Sequence, residues 1–385
     1  MTTTYIRKPF AEIKINGTTA GNVLSARTRL GYNLAVAQGE VTLAAPPTGI
    51  TLAPFAPVTI KLGGTSSTAA VRFTGYITQI DRELYPRSLK LTCRGNLQKA
   101  ESYTAMTDVD MTGYAGYLLN GGTYGHHDET IVATILYIVG LLADPISGDT
   151  VPAAIGGTGL VMGTTVVRGN SAFTWDTGTS ALSFIQKLDA VCLGYRTFEL
   201  ADGSIVRRQI GALPALSASA TFTEHVDIYR ATALDTILEA KNRIKVNGYQ
   251  KNKTNKVEDE VTATADDTNY WLQILSGGTV QWYVQQAISS GLIEKKLSSD
   301  GGDGLACNTV AAWMLAELNV RRLRVNLTTY RDTNIAPGAT IAVNAPTRLG
   351  ITTQNLWVQE VGCEINKDNQ FVQNLVCIGV VPEPT

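Results

Sequence analysis

FTGYITQIDRELYPRSLKLTCRG, Phe73 to Gly95, is the stretch that decides how this chain reads. Leu89, Leu91 and Cys93 alternate with Lys90, Thr92 and Arg94, the period-two pattern of a strand with one buried face. Arg82 to Ser88, with Pro86 inside it, supplies the turn that follows a first extended segment. LWVQEVGCEINKDNQFVQNLVCIG, Leu356 to Gly379, repeats the design near the C-terminus. At one offset of 284 positions Phe73 falls on Trp357, Ile77 on Val361, Leu91 on Leu375 and Cys93 on Cys377. Upstream, PVTIKL (Pro57–Leu62) matches GATIAV, with Thr59 on Thr340 and Ile60 on Ile341. The offset there is 281, which puts three extra residues between the strands of the second copy. Alternating segments match one another easily by chance. The shared order of strand, turn, strand, turn and a last strand ending in Cys is what argues for one β unit carried twice.

Composition fits that reading. Of 385 residues 44% are hydrophobic, but only 17% are charged and 36 are Gly, a turn-rich and β-leaning balance. Such a length predicts several domains with cores large enough to need no metal or disulfide staple. With 32 basic and 33 acidic residues, an extended basic face for nucleic acid is not expected. Cys93, Cys192, Cys307, Cys363 and Cys377 are odd in number and form no CxxC pair, so they read as buried free thiols. The N-terminal MTTTYIRKPFAEIKING has no apolar signal core, and the longest apolar run, Ile131 to Leu142, is too short to cross a bilayer. Solubility, with no stable membrane insertion, is the expectation.

Along the chain, a first β domain spans residues 1–104. AEIKING (Ala11–Gly17) is a strand ending in an Asn-Gly hairpin turn, Val41–Leu43 is a second strand, and Pro57–Leu62 is a third. A smaller α/β domain follows over 105–213. In it Asp128 starts a helix running to Pro145, with Ile131, Ile135, Ile138 and Leu142 on one stripe. Thr177–Tyr195 is a second helix stopped by Gly194, and a hairpin turns at Ala201-Asp202-Gly203. The second β domain is discontinuous, 214–250 plus 323–385, with RIKVNGY (Arg243–Tyr249) as one of its strands. The intervening 251–322 reads as an inserted domain. It holds the charge-rich KNKTNKVEDEV, read as a solvated hairpin, and a helix at about 306–322.

No catalytic constellation emerges. His126-His127-Asp128 stands immediately before a helix start, where adjacent histidines seldom converge on one ion. Asp108, Asp110, Thr112 and Gly113 begin like a calcium loop, but its twelfth position is Leu119 instead of Glu. Gly156, Gly157, Gly159 and Gly163 fail the dinucleotide spacing because Met162 occupies the third glycine position. Glu258 and Glu260 have no distinguishing context. No catalytic, cofactor-binding or metal-ligating residue is therefore assigned, and a non-enzymatic role is expected.

The chain resembles the baseplate hub proteins of bacteriophage tails, the late control protein D family, related to the N-terminal part of type VI secretion spike proteins. The likeness rests on EIKING with its long hairpin, on FTGYITQIDREL, on SALSFIQKLDAVCLGYRTFELADGSIVRR, and on NIAPGATIAVNAP followed by WVQEVGCEI. It is collinear over nearly the whole chain and thinnest from about Lys251 to Asp303. Since the chain ends at Thr385, soon after the second unit, no spike or hydrolase extension is expected. The resemblance implies an α+β, β-rich fold with two tail-tube-like antiparallel β-barrel domains per chain, set as a homotrimer in a pseudo-hexameric ring. It implies no cofactor. It also implies the partners: a hexameric tail tube or distal tail protein, a spike or fibre protein, a tape measure protein, and viral DNA in transit only. The place would be the virion tail, assembled in the bacterial host cytoplasm. The rival expectation is a virion-associated cell-wall or polysaccharide hydrolase, or a carbohydrate-binding module, in which tryptophans and tyrosines with scattered acids would stack on sugars; against it, Trp175, Trp313 and Trp357 read as core.

Overall fold

Asn16 and Gly17 take φ of 51° and 78°, the left-handed pair that a two-residue hairpin turn demands. They join β1 (Phe10–Ile15) to β2 (Thr18–Ala20), with Ile15 opposite Thr18. The computed structural model describes residues 9–83, 88–111, 128–142, 153–156, 174–192, 194–211, 217–236, 241–251, 258–266, 285–294, 306–320, 322–366 and 368–380. After the hairpin come β3 (Val23–Gly31), β4 (Gln38–Leu43), β5 (Pro57–Gly63), β6 (Ala70–Glu83) and β7 (Ser88–Arg94). A short helix α1 (Gln98–Ser102) leads through β8 (Val109–Asp110) to α2 (Asp128–Ile138), β9 (Thr174–Trp175) and α3 (Ala181–Val191). The hairpin β10 (Tyr195–Glu199) and β11 (Ile205–Gln209) follows, then β12 (Ala220–Thr223) and β13 (Ile228–Thr236). Next are β14 (Arg243–Lys251), β15 (Glu258–Asp266), β16 (Gln285–Glu294) and α4 (Ala306–Leu318). The chain closes with β17 (Arg322–Thr329), β18 (Thr340–Ala345), α5 (Pro346–Leu349), β19 (Ile351–Ile365) and β20 (Phe371–Val380).

The fold is α+β and β-rich. Among the described residues thirteen strands join in one hydrogen-bonded sheet, in which both β units share a continuous ladder that branches at β19. Within it β3-β4-β7-β6-β5-β1 and β13-β17-β20-β19-β18-β12 run in the same order, so the repeat is real and larger than its hairpin. One pairing differs: β1 lies antiparallel to β5, whereas β12 lies parallel to β18.

Irregularities make the match specific. β6 bulges against β7 between Ile77 and Gln79, and β19 bulges against β20 between Val358 and Glu360. β3 bulges between Val23 and Ser25, and β13 between Ile228 and Arg230, leaving Leu24 and Tyr229 as the extra residues. The β5–β6 ladder slips after the pair Ile60–Phe73, and the β18–β19 ladder after Val343–Gln354. Bulges are inherited features, not packing accidents, so three in register mark a duplication.

These ladders correct the alignment. Cys93 faces Ile77 and Cys377 faces Val358; Leu91 faces Ile80 and Leu375 faces Val361. Ile77 therefore corresponds to Val358, Ile80 to Val361 and Tyr76 to Trp357, an offset of 281 along β6 and β19. Phe73 corresponds to Gln354, not to Trp357. The three extra residues lie in the second hairpin's turn, between β19 and β20. Pairing also shifts β5 onto β18 at 283, so that Ile60 answers Val343. Alternation could not detect this: the slip of two along β5 keeps every side chain on its face, and across the bulge a slip of three still sets Ile77 on an inward residue, Val361.

One core runs under both units, from Ile13, Ile60, Phe73 and Leu91 to Val325, Ile341, Leu356 and Leu375. A second joins Ile131, Ile135 and Leu136 of α2 to Trp175, Phe184 and Leu188. Here α2 ends at Ile138, well short of Pro145. Gly140 turns left-handed at φ 72° and the Leu141 amide bonds back to the Leu136 carbonyl, a glycine stop inside the apolar run. Ser180 caps α3 through the Ser183 amide, and Gly194 ends that region at φ 80° as expected. Arg243–Lys251 does not join the second β unit: β14 pairs with β15 and β16 in a separate three-stranded sheet. The second unit is thus interrupted right after β13, and the charge-rich stretch from Lys251 joins β14 to β15 with 252–257 outside the described residues.

Candidate assembly edges

β19 is fifteen residues long and serves three neighbours. β20 lies along one side; β18 takes the other side as far as Trp357, and beyond the bulge β3 takes it from Glu360 to Ile365. That β3–β19 seam joins the two units. Its core face is apolar, with Ala26, Leu30, Val361, Cys363 and Ile365 all buried. On the opposite face Arg29 grips Glu360 through two bonds of 2.7 and 2.9 Å, and Arg27 stands 4.0 Å from Glu364. A fork-to-fork contact of this kind fixes register as well as adding energy.

The same construction in the first unit is left open. β5 accompanies β6 only as far as Tyr76, and β7 covers the other side from Tyr76 onward. Among the described residues no strand pairs with Gln79–Glu83 on the side that β5 vacates. At the far end of the sheet β17 is the only strand among the described residues that pairs with β13, the counterpart of β3. Its Tyr229 and Leu234 are 62% and 60% exposed, unusual for apolar residues in a strand. One chain therefore holds one filled seam and, among the described residues, two unpaired strand edges that correspond to its halves.

Two buried carboxylates tie this frame together. Asp332, in the loop after β17, accepts from Arg72 of β6 at 2.5 Å and from the Gly64 amide at 2.9 Å, a staple between units. Glu199, at the end of β10, reaches from the α/β domain into the first unit. It accepts from the Leu97 amide at 2.7 Å and the Ala37 amide at 3.0 Å. Burial pushes its carboxyl up to about 7 although those amides pull the other way. A third cluster lies inside the α/β domain. Arg207 bonds Asp128 at 2.6 Å and Asp189 at 2.7 Å, all three buried. It has the charges of an active site without access to solvent, and it reads as a structural pin between α2, α3 and β11.

The other candidate residues are not brought into a site. Asp108 bonds the Thr177 amide and hydroxyl, a loop tie, while Thr112, Gly113 and Leu119 lie outside the described residues. So do His126 and His127 and Gly157, Gly159 and Gly163; Gly156 donates to the Arg207 carbonyl. Glu258 and Glu260 fall on β15. Among the described residues no cluster of His, Cys, Asp and Glu could hold a metal, and no helix is long and apolar enough to cross a membrane. Trp175 is buried core, and Trp313 and Trp357 are half-buried. Cys93, Cys192, Cys363 and Cys377 are free, buried thiols. What sequence reasoning missed was the seam strands themselves, β3 and β13.

No protein-family model matches the sequence, and neither does any curated protein. Solved structures do resemble it. A tail protein from Neisseria meningitidis is 9% identical, with 96% of each chain covered and a TM-score of 0.59. The 43 kDa tail protein of prophage MuSo2 from Shewanella oneidensis is 8% identical at TM-score 0.58, covering 96% of this chain and 98% of that one. An Escherichia coli component of the type VI secretion system, itself described as similar to T4 bacteriophage tail proteins, is 10% identical at TM-score 0.50. There the coverage is 96% of this chain and 77% of that one. The resemblance to baseplate hub-like tail proteins holds at the level of the fold.

Proposed function

We propose that the chain is a structural hub of a phage-type tail, in which three copies join edge to edge into a ring of six units. The observation that supports this most is the open edge of β6, which is the counterpart of a β19 edge already filled by β3. Carrying the β3–β19 register across the repeat pairs Gln79 with Thr236, Asp81 with Leu234 and Glu83 with Thr232 of the next copy. Arg82 then stands diagonally from Asp235, and Glu83 from Arg230, so both edges meet with opposite charges. Each chain brings eight strands to the ring, β13-β17-β20-β19-β3-β4-β7-β6, and closure removes the edges that otherwise invite aggregation.

Threefold symmetry of the chains and sixfold likeness of the units let one face meet a hexameric tail tube or distal tail protein while the other meets a threefold spike or fibre. The face away from the core would line the channel for DNA and for a tape measure protein. On it Lys90 pairs with Glu40 at 2.7 Å and Arg29 with Glu360, so these two basic groups are already neutralised. A wall of that kind does not trap phosphates. The role is assembly within the virion tail, not catalysis.

Light scattering should give about 124 kDa, three times 41.2 kDa, for the protein alone or with a tube or spike partner. A variant carrying Asp81→Cys and Leu234→Cys should oxidise to covalent trimers. A monomer that stays monomeric with those partners sinks the reading.

A further inference from the structure

Each unit enters its β5-type strand through the same turn. Ala53-Pro54-Phe55-Ala56 and Ala336-Pro337-Gly338-Ala339 both close with a 3.2 Å bond from the last amide to the first carbonyl. In both, the third residue is left-handed, φ 66° at Phe55 and 76° at Gly338, and its amide donates to β6 or β19, at Ile77 or Val358. Glycine suits this conformation, whereas a bulky side chain there costs on the order of 1–2 kcal/mol. The turn itself does not require Phe55. The ring is 76% exposed, and its one ring partner among the described residues of this chain is Tyr76, 5.8 Å away.

The second unit shows what belongs over this turn. A methyl group on Gly338 would sit 3.0 Å from Ile210 Cδ1 and 3.5 Å from Phe198 Cζ, so apolar side chains of the α/β domain already cover it. Phe198 in turn meets Tyr32, at 6.2 Å between rings, and Tyr32 begins the connection from β3 to β4. Aromatic cover at the filled seam therefore comes from the α/β domain and from the strand connection of the unit across that seam.

We propose that Phe55 is a docking knob for a second copy of this chain, set beside the Thr236 end of the neighbour's β13. It supplies from within the turn the ring that Phe198 supplies to Gly338. Position supports the choice of occupant: Phe55 bonds to Ile77, two residues before the open edge begins at Gln79, so knob and edge form one continuous surface. The inference rests on the ring proposed above.

Phe55→Gly tests it, since Gly338 shows that the turn folds with glycine. The thermal midpoint of the variant should hold or rise, while dissociation of the trimer on dilution should begin at a concentration about ten-fold or more higher. Phe55→Tyr should dissociate like the wild type. Equal dissociation of the Gly variant and the wild type overturns the knob and leaves the ring standing. Loss of folding in the Gly variant overturns it too, because the ring would then serve this chain alone. A wild type that never trimerises, even with tube or spike partners, removes the ring and the knob together.

Discussion

The two β units share a ladder down to its bulges and fill it differently. In the first, Phe73 lies over Gly39 and Gly75, whose added methyls would come within 3.1 and 2.7 Å of its ring. In the second, the corresponding places hold Gln354, Val325 and Leu356. One aromatic and two glycines are exchanged for two aliphatics, with Gln354 turned to bond the Val380 carbonyl. The same space is filled by different side chains, as repacking of a core allows. The faces opposite the core diverge as well. The first unit shows Lys90, Thr92 and Arg94 where the second shows Asn374, Val376 and Ile378, along corresponding strands. Backbone pairing is thus the inherited part of this fold, and side-chain filling is what each copy has revised.

The comparison breaks most readily at Phe73. Phe73→Ala should cost about 4 kcal/mol, because glycines at 39 and 75 cannot close over the cavity. Chemical denaturation should show that loss, whereas Gln354→Ala, at the corresponding position, should cost well under half as much. Next comes the staple between units. Arg72→Met leaves Asp332 buried beside the Gly64 amide and should destabilise by about 3 kcal/mol. Adding Asp332→Leu should restore most of that loss if the pair stabilises chiefly by mutual compensation. A double variant no better than the single would show that Arg72 acts through the carbonyls it also binds.

Glu199 distinguishes the first unit, which it touches, from the second. Its carboxyl titrates near 7 when folded against 4.5 when free, so the folded state binds the proton more tightly. Its contribution is complete below pH 4.5 and fades as pH rises through 7, by up to about 3 kcal/mol. Glu199→Gln should flatten the fall in thermal midpoint between pH 5 and 8; an unchanged slope would assign that fall elsewhere. The smallest effect concerns the matched thiols. Burial pushes Cys93 up to about 12 and Cys377 upward as well, so iodoacetamide should label neither in the native protein. Both should react together on unfolding if the two units melt as one sheet.

Much of the ladder was legible. Leu89, Leu91 and Cys93 alternate with polar residues because one face is core and the other is solvated, and Asn16-Gly17 can hardly be anything but a turn. Residues at the joints were illegible for physical reasons. β3 turns Ala26 and Thr28 inward, and β13 sets Ala231 and the exposed Ala233 opposite Leu327 and Val325, side chains too small to register as an apolar stripe. Small residues are what a seam between packed units admits. Arg243–Tyr249 alternates as well as any strand, yet it pairs elsewhere, since alternation reports a half-buried face and not which sheet owns it. Phe55 belongs to no motif in the sequence, and its positive φ beside the glycine of the second copy is what sets it apart.

The seam has a further consequence, in the order of synthesis. β3 is made among the first 31 residues, but its partner on β19 begins at Glu360, more than 300 residues later. Through that interval an emerging first unit carries both β3 and the open half of β6, the two edges whose counterparts elsewhere make a joint. Neighbouring nascent chains on one message could stitch first unit to first unit and build a ring lacking every second unit. What guards against this is tethering: once made, the chain's own β19 is present at an effective concentration on the order of millimolar, far above that of any neighbour. Translation pauses between the two units would lengthen the exposed interval, and with it the yield of such half-rings.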